Sequence, residues 1–379
     1  MEVNFQITIL LCAALFGFVL ARRFGQSAVI GEIFIGIVIG PSLLGLVAYT
    51  ESVSILAELG AIFLLFTIGL ECNYKHIYTV RNSFVALLGM VIPLVAGWWL
   101  AAAFGYSSIE AIFIGVALTA TSIAITAQVL KERKLINKAF ARTILGAAVV
   151  DDILSLLALG IVGGLSTEMN LASIGQQLLL AAGFVIGALI VRKPVNKLVR
   201  HIDKVAVGRR DTKVTIFAAM IVAFSYAATA HLIGLSSIVG AFIAGVTLEE
   251  LRFPRVKEGA AYFDMLFSAI FFVSLGVLMD LTHMTSEAWI FAIILTVVAV
   301  LTKLFGCLFP ARWTGHTWKE SFAVGIGMVP RGEVAMIVGL IGLTGGIISQ
   351  STYGVIIFMA FITTVIAPFF LQWALPKKS

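Results

Sequence analysis

Charge is scarce in this chain of 379 residues. Asp, Glu, Lys and Arg together make up 12% of it, against roughly 25% in an average soluble domain. Hydrophobic residues make up 60%, and the mean hydropathy is +1.06. A soluble fold of this size cannot hide that much apolar surface, so a soluble single domain, a disordered chain and a nucleic-acid-binding module are excluded. Cysteine is scarce as well. Cys12, Cys72 and Cys307 are the three, none in a CxxC pair, so neither a disulfide framework nor a zinc site is indicated. The five histidines are not spaced as metal ligands. No GxGxxG or Walker A pattern occurs, so no nucleotide module is expected. A basic region ahead of the first apolar run is missing too: Arg22 and Arg23 follow Phe5 to Ala21 instead. That polarity is wrong for a cleaved signal, and the run reads as a first membrane span.

What is present is a succession of apolar segments. A hydrocarbon core of ~30 Å needs about 20 apolar helical residues per crossing. The segments 5–21, 27–47, 53–70, 82–104, 107–130, 138–165, 173–192, 213–232, 236–249, 260–280, 286–308, 317–343 and 352–375 are predicted as spans. The expected fold class is therefore an all-α polytopic membrane protein of about 13 transmembrane helices. Of the 26 Lys and Arg residues, 24 fall in or beside odd-numbered loops or in the tail, and the even-numbered loops hold none. A pI of 9.3 thus reports topology. By the positive-inside rule the N-terminus is expected outside and the C-terminus in the cytoplasm. The longest loop, 193–212, is basic and is expected to form a short linker helix on the cytoplasmic face.

Two basic residues, Lys303 and Arg331, lie within spans. A charge at membrane depth is costly and faces a cavity or a partner. Asp151 and Asp152 sit mid-span in GAAVVDDILSLLALG. Adjacent helical positions point ~100° apart, so one carboxylate can pair with a protein cation while the other faces a cavity. Such a pair can hold a proton and exchange it for a hard alkali cation, which seeks oxygen ligands. Lys303 is predicted to pair with Asp151 or Asp152. Span 5 carries the polar run Thr119-Ala120-Thr121-Ser122, and span 12 carries Pro330 between Gly327 and Gly332, with Arg331 and Glu333 beside it. Proline breaks a helix, and irregular backbone at depth survives only where protein or a cavity surrounds it. The two spans are seven apart and so run in opposite directions. Matching interrupted helices in antiparallel halves point to an inverted-repeat transporter with two crossed discontinuous helices. Their exposed dipole ends call for compensating charge, for which Lys303 and Glu333 are candidates. Glu71, near the end of span 3, is a candidate partner for Arg331. Glu58 also flanks span 3, and Glu110 and Asp264 are expected near interfaces. Gly31, Gly36 and Gly40 around Glu32 read as helix-packing positions.

The ordered set GEIFIGIVIGPSLLG, LAELGAIFLLFTIGLE, ALTATSIAITAQVL, VVDDILSL, FFVSLGVLMDL and VPRGEVAMIV resembles the cation:proton antiporter-2 branch of the monovalent cation/proton antiporters. The likeness spans nearly the whole chain and is greatest to sodium/proton exchangers of the NapA and GerN type. It implies a Na+/H+ antiporter-like fold, a homodimer and elevator-like alternating access. It implies a mobile core at approximately 53–165 and 286–375, a dimerisation scaffold at approximately 5–47 and 213–280, and a linker at 173–212. By motif, Asp152 matches the ion- and proton-binding aspartate and Asp151 its neighbour, together the Na+ ligands. Thr121 and Ser122 match the unwound stretch, and Ser155 joins the binding set. Lys303 matches the lysine paired with Asp151, and Glu333 the glutamate near the crossing. The charge-compensating set is thus Lys303, Glu333, Arg331 and Glu71. Kef-type potassium systems of the same branch carry Gln-Asp and a cytosolic nucleotide-binding domain; this chain has neither.

The expected activity is exchange of Na+ or Li+ for H+ across the plasma membrane of a prokaryote. No enzymatic activity, cofactor or nucleic-acid partner is expected; the partners are the monovalent cation, protons, the lipid bilayer and a second copy. A K+/H+ exchanger of Kef type, or a cation channel or sensor on the same fold, remains the alternative. A Na+-coupled symporter for an organic anion fits the acid-rich centre less well. An intramembrane aspartyl protease needs two carboxylates on different helices sharing a proton. Adjacent aspartates, with no YD or GD dipeptide, do not meet that need.

Overall fold

The computed structural model describes residues 3–72, 79–166, 171–208, 213–251, 253–278, 286–344 and 346–374. Among these residues there is no strand. The α-helices, in chain order, are α1 (Val3–Arg23), α2 (Ala28–Ile39), α3 (Glu51–Gly69), α4 (Val80–Ala103), α5 (Ser108–Ala117), α6 (Ile123–Glu132), α7 (Ala139–Ser166), α8 (Leu171–Gly208), α9 (Lys213–Leu232), α10 (Ser237–Leu248), α11 (Pro254–Val277), α12 (Ser286–Trp313), α13 (Trp318–Gly327), α14 (Gly332–Thr344) and α15 (Gln350–Ala374). Eight of them are individually long and apolar enough to cross a membrane. Every predicted span has a helix or a pair of half-helices in its place: span 5 is α5 with α6, and span 12 is α13 with α14.

Three boundaries differ from expectation. The second span stops at Ile39, not 47. Gly40 precedes Pro41 and is extended, at φ −76 and ψ −177, because the proline ring disfavours helical backbone at the residue before it. The seventh span does not end at 192. It runs on through Pro194 as one 38-residue helix, which absorbs most of the expected linker. The third difference concerns α3. The resemblance put residues from 53 onward in the core, yet α3 packs most extensively on α11 and α10.

The packing resolves into two groups. In the first, α1, α2, α3, α9, α10 and α11 pack on one another. Small residues let these backbones touch, as lipid-embedded helices require. Gly31 lies against Gly17, Gly36 against Gly276, and Gly69 against Gly245. In the second, α4, α5 and α7 pack together, as do α12, α13, α14 and α15, and α4 joins the two sets by packing on α12. The long α8 lies along α9 and α10 and also touches α7. An ion pair, Lys131 of α6 with Asp264 of α11, ties the second group to the first.

Helix α10, like α2, is a short member of the first group. Its 12 residues reach about 18 Å, well under a ~30 Å membrane core. Its N-terminal residues Ser236, Ser237 and Ile238 line the cavity described next.

Candidate functional site

The two interrupted helices begin alike. Ser107 and Glu110 form a reciprocal capping box on α5, and Thr317 and Glu320 do the same on α13. Each box satisfies orphan N–H groups and pins the start of a half-helix. Each half-helix is 10 residues long, and each stops inside the bundle. Pro330 has no N–H to continue the second one. Gly332 restarts it with φ at +47, a region that favours glycine.

Inside the bundle every freed carbonyl needs a donor, and the two breaks supply one another. The Ser122 N–H donates to the Pro330 carbonyl at 2.7 Å. The Thr126 hydroxyl donates to Gly327 O at 2.6 Å, and that of Thr121 to Met328 O at 3.4 Å. In return Arg331 donates to Ala120 O at 2.9 Å, and also to Ala299 O at 3.1 Å. The crossing is tight: a Cβ at Gly332 would sit 2.6 Å from Ser122 Cβ. The N–H of Gly332 is met by Thr364 Oγ1 at 3.2 Å.

Beside the crossing lies the charged centre. Lys303 Nζ donates to both oxygens of Asp151, at 3.0 and 3.1 Å, and to Thr119 O at 2.8 Å. Lys303, Asp151 and Arg331 are each 0% exposed. The carbonyl end of α5 is the negative pole of its dipole, and both buried cations sit on it. Asp152 points elsewhere. It is 8% exposed, and its Oδ2 accepts from the Ser236 N–H at 3.4 Å. Ser236 is the N-cap of α10, so the Asp152 carboxylate faces the positive pole of that helix. A cavity of about 370 Å³ opens here, with Asp152, Ser155, Glu58, His231, Ser236 and Ser274 among its lining. Thr119 Oγ1 lies 3.2 Å from Ser155 Oγ, linking the cavity wall to the break in span 5.

The structure thus brings most of the expected residues together. Asp151 and Lys303 form the buried pair, Asp152 and Ser155 line the cavity, and Thr121, Ser122 and Arg331 build the crossing. Glu71 stands apart. Among the described residues the hydrogen bonds of Arg331 go to Ala120 and Ala299, whereas Glu71 lies with Arg142, Glu249 and Lys257 around Cys72. Expectation placed Glu71 with Arg331, but the guanidinium bonds carbonyls instead, Ala120 O at the break in span 5 and Ala299 O within α12. The backbone of Glu333 opens α14; its side chain lies outside the described residues. Sequence reading missed Ser236, Thr126 and Thr364. Thr126 lies one turn beyond Ser122 on the same helix and was open to discovery. Ser236 stands as an N-cap residue at the start of the shortest predicted span, 236–249. Nothing local marks Thr364.

Two half-helices crossing beside a buried carboxylate–lysine pair, with a second carboxylate on a cavity, define an inverted-repeat secondary transporter. The chain belongs to the sodium/hydrogen exchanger family, whose transmembrane model matches residues 7–377. It is 34% identical to the Na(+)/H(+)-K(+) antiporter GerN of Bacillus cereus, over 100% of this chain and 97% of that protein. It is also 34% identical to a Na(+)/H(+) antiporter of Enterococcus hirae, over 98% and 97% of the two chains. Among solved structures, the sodium proton antiporter MjNhaP1 from Methanocaldococcus jannaschii superposes with a TM-score of 0.74 at 17% identity, covering 99% of this chain and 97% of that one. The likeness carries the fold.

Proposed function

We propose that the chain exchanges Na+ or Li+ for H+ across the membrane by competition at Asp152. One observation carries this reading: Asp151 is neutralised by Lys303, at 3.0 Å and without exposure, while Asp152 beside it meets the cavity. With Asp151 taken by Lys303, Asp152 is the neighbour left to meet the cavity. With a proton or a Na+ bound, that site is neutral and can cross. Empty, it carries a charge into a low-dielectric barrier and is held back. Competition at a single group therefore couples the two ions without any long-range signal. Cavity oxygens from Ser155 and Ser274 are suited to a hard alkali cation.

Alternating access fits the two packing groups. The group with α4, α5, α6, α7 and α12 to α15 is the mobile core, and the group with α1 to α3 and α9 to α11 is the scaffold and dimer-forming face. This division assigns α3 to the scaffold. The cavity is lined from the scaffold by α3, α11 and the turn before α10, and from the core by Asp152, Ser155 and Val338. Its lining residues Tyr49 and Gly234 belong to loops without Lys or Arg, so we assign its mouth to the outside. The Lys131–Asp264 pair closes the opposite, basic side. In this scheme the state described faces outward, and the C-terminus is cytoplasmic in a prokaryotic plasma membrane.

The name of the Bacillus cereus relative includes K+, which keeps K+ as a second candidate ion. Proteoliposomes holding a proton gradient separate the cases. Adding NaCl or LiCl, but not choline chloride, is expected to move protons, and Asp152→Asn is expected to abolish the response in a protein that still elutes as a folded species. A response to K+ alone moves the assignment to potassium. Wild-type exchange by Asp152→Asn contradicts the site.

A further inference from the structure

Glu58 is an acidic residue that the exchange scheme leaves idle. It lies seven residues into α3 from Glu51, or about 10 Å along the helix axis. A carboxylate at that depth needs a counter-charge or water. Among the described residues Glu58 makes no hydrogen bond or ion pair. It is exposed, and the surface it meets is the cavity that ends at Asp152. The remaining titratable groups of that lining are Tyr49 and His231. The cavity therefore has two carboxylates, one on each side of the scaffold–core boundary. Asp152 rides on α7 of the core, and Glu58 on α3 of the scaffold.

We propose that Glu58 is a capture site for monovalent cations, which holds a hydrated cation in the cavity and raises its local concentration beside Asp152. The proposal rests on the antiport reading and names a specificity element of the same site. Its physical basis is that a cleft lined by one sign of charge between low-dielectric walls concentrates the opposite ion. The placement on the scaffold has a consequence that a carboxylate of the core would not share. When the core moves, Asp152 leaves and Glu58 stays behind. Glu58 therefore acts on cations arriving from the cavity side and is silent toward cations arriving from the other face.

The test uses the full chain in right-side-out and inside-out membrane vesicles, with Na+-driven proton movement as readout. Glu58→Gln is expected to raise the KM for Na+ about three- to tenfold from the cavity side. Vmax, and the KM measured from the opposite side, are expected to stay at their wild-type values. Glu58→Asp, which keeps the charge, is expected to restore most of the affinity. A measurement on the unsubstituted chain guards against a variant that fails to fold. Raising ionic strength with choline chloride screens an exposed carboxylate, so the cavity-side KM is expected to rise toward the Glu58→Gln value, and the opposite-side KM to rise less. An unchanged cavity-side KM overturns the proposal, as does an equal rise on both sides or a fall in Vmax alone. If the unsubstituted chain moves no protons on any cation, the antiport reading itself fails and takes this one with it. Exchange that persists with a side-independent effect removes Glu58 alone.

Discussion

At the residue scale the chain separates two neighbouring aspartates into different chemistries. A ~100° turn of the helix aims Asp151 at Lys303 and Asp152 at the cavity. Asp151 and Lys303 are both wholly buried, and breaking such a pair from one side strands a charge, at a cost of about 3–5 kcal/mol. Lys303→Ala is therefore expected to lower the unfolding temperature by several degrees, and adding Asp151→Asn to it is expected to recover part of that loss. Thermal unfolding in detergent reads both; a single variant as stable as the wild type would contradict the pairing. Much of this was legible beforehand. Adjacent acids at depth and a lone lysine in a span mark themselves by their cost. The residues alone left open which aspartate takes the lysine, since helical phase says that the two diverge and not where each points. Ser236 was not legible, because its contribution is a backbone N–H, which every residue but proline has.

At the scale of elements, the two breaks are the decisive feature. Pro330 and its glycines announce one, and the run Thr119 to Ser122 hints at the other. What sequence does not show is that each break hydrogen-bonds the other: Ser122, Thr121 and Thr126 serve span 12, while Arg331 serves span 5. Arg331 was expected to need an acidic partner, but its hydrogen bonds among the described residues go to the carbonyls of Ala120 and Ala299. The closeness of the crossing gives a prediction. Gly332→Ala forces a side chain into left-handed backbone at φ +47, 2.6 Å from Ser122 Cβ. A cost of about 1–3 kcal/mol is expected, together with a severalfold loss of exchange rate in proteoliposomes. Retention of both stability and rate would mean that the crossing is looser than described. The element ends were less legible. Hydropathy marks where lipid stops, not where hydrogen bonding stops, so α8 outruns its apolar segment. The reverse holds for α2, where Pro41 ends the helix before the apolar residues end. The packing of α3 was hidden for a different reason: its glycines meet partners on α10 and α11, far along the chain.

At the scale of the whole molecule, the proposed outward-facing state rests on the cavity at Asp152 and on the Lys131–Asp264 pair between the two packing groups. The alternation of basic loops, on which the proposed orientation rests, was fully visible in the sequence. The division into two packing groups was only partly visible, because it depends on contacts between distant helices. In the scheme proposed above, no communication between separate ion sites is needed, since Asp152 would accept either a proton or a cation. The direct measurement is the KM for Na+ as a function of pH, taken in proteoliposomes with equal pH on both faces. If protons and Na+ compete at Asp152, the KM rises about tenfold for each unit of acidification once the site is mostly protonated, while Vmax at saturating Na+ holds. A KM independent of pH, with Vmax falling instead, would contradict a shared site and place the proton on another group.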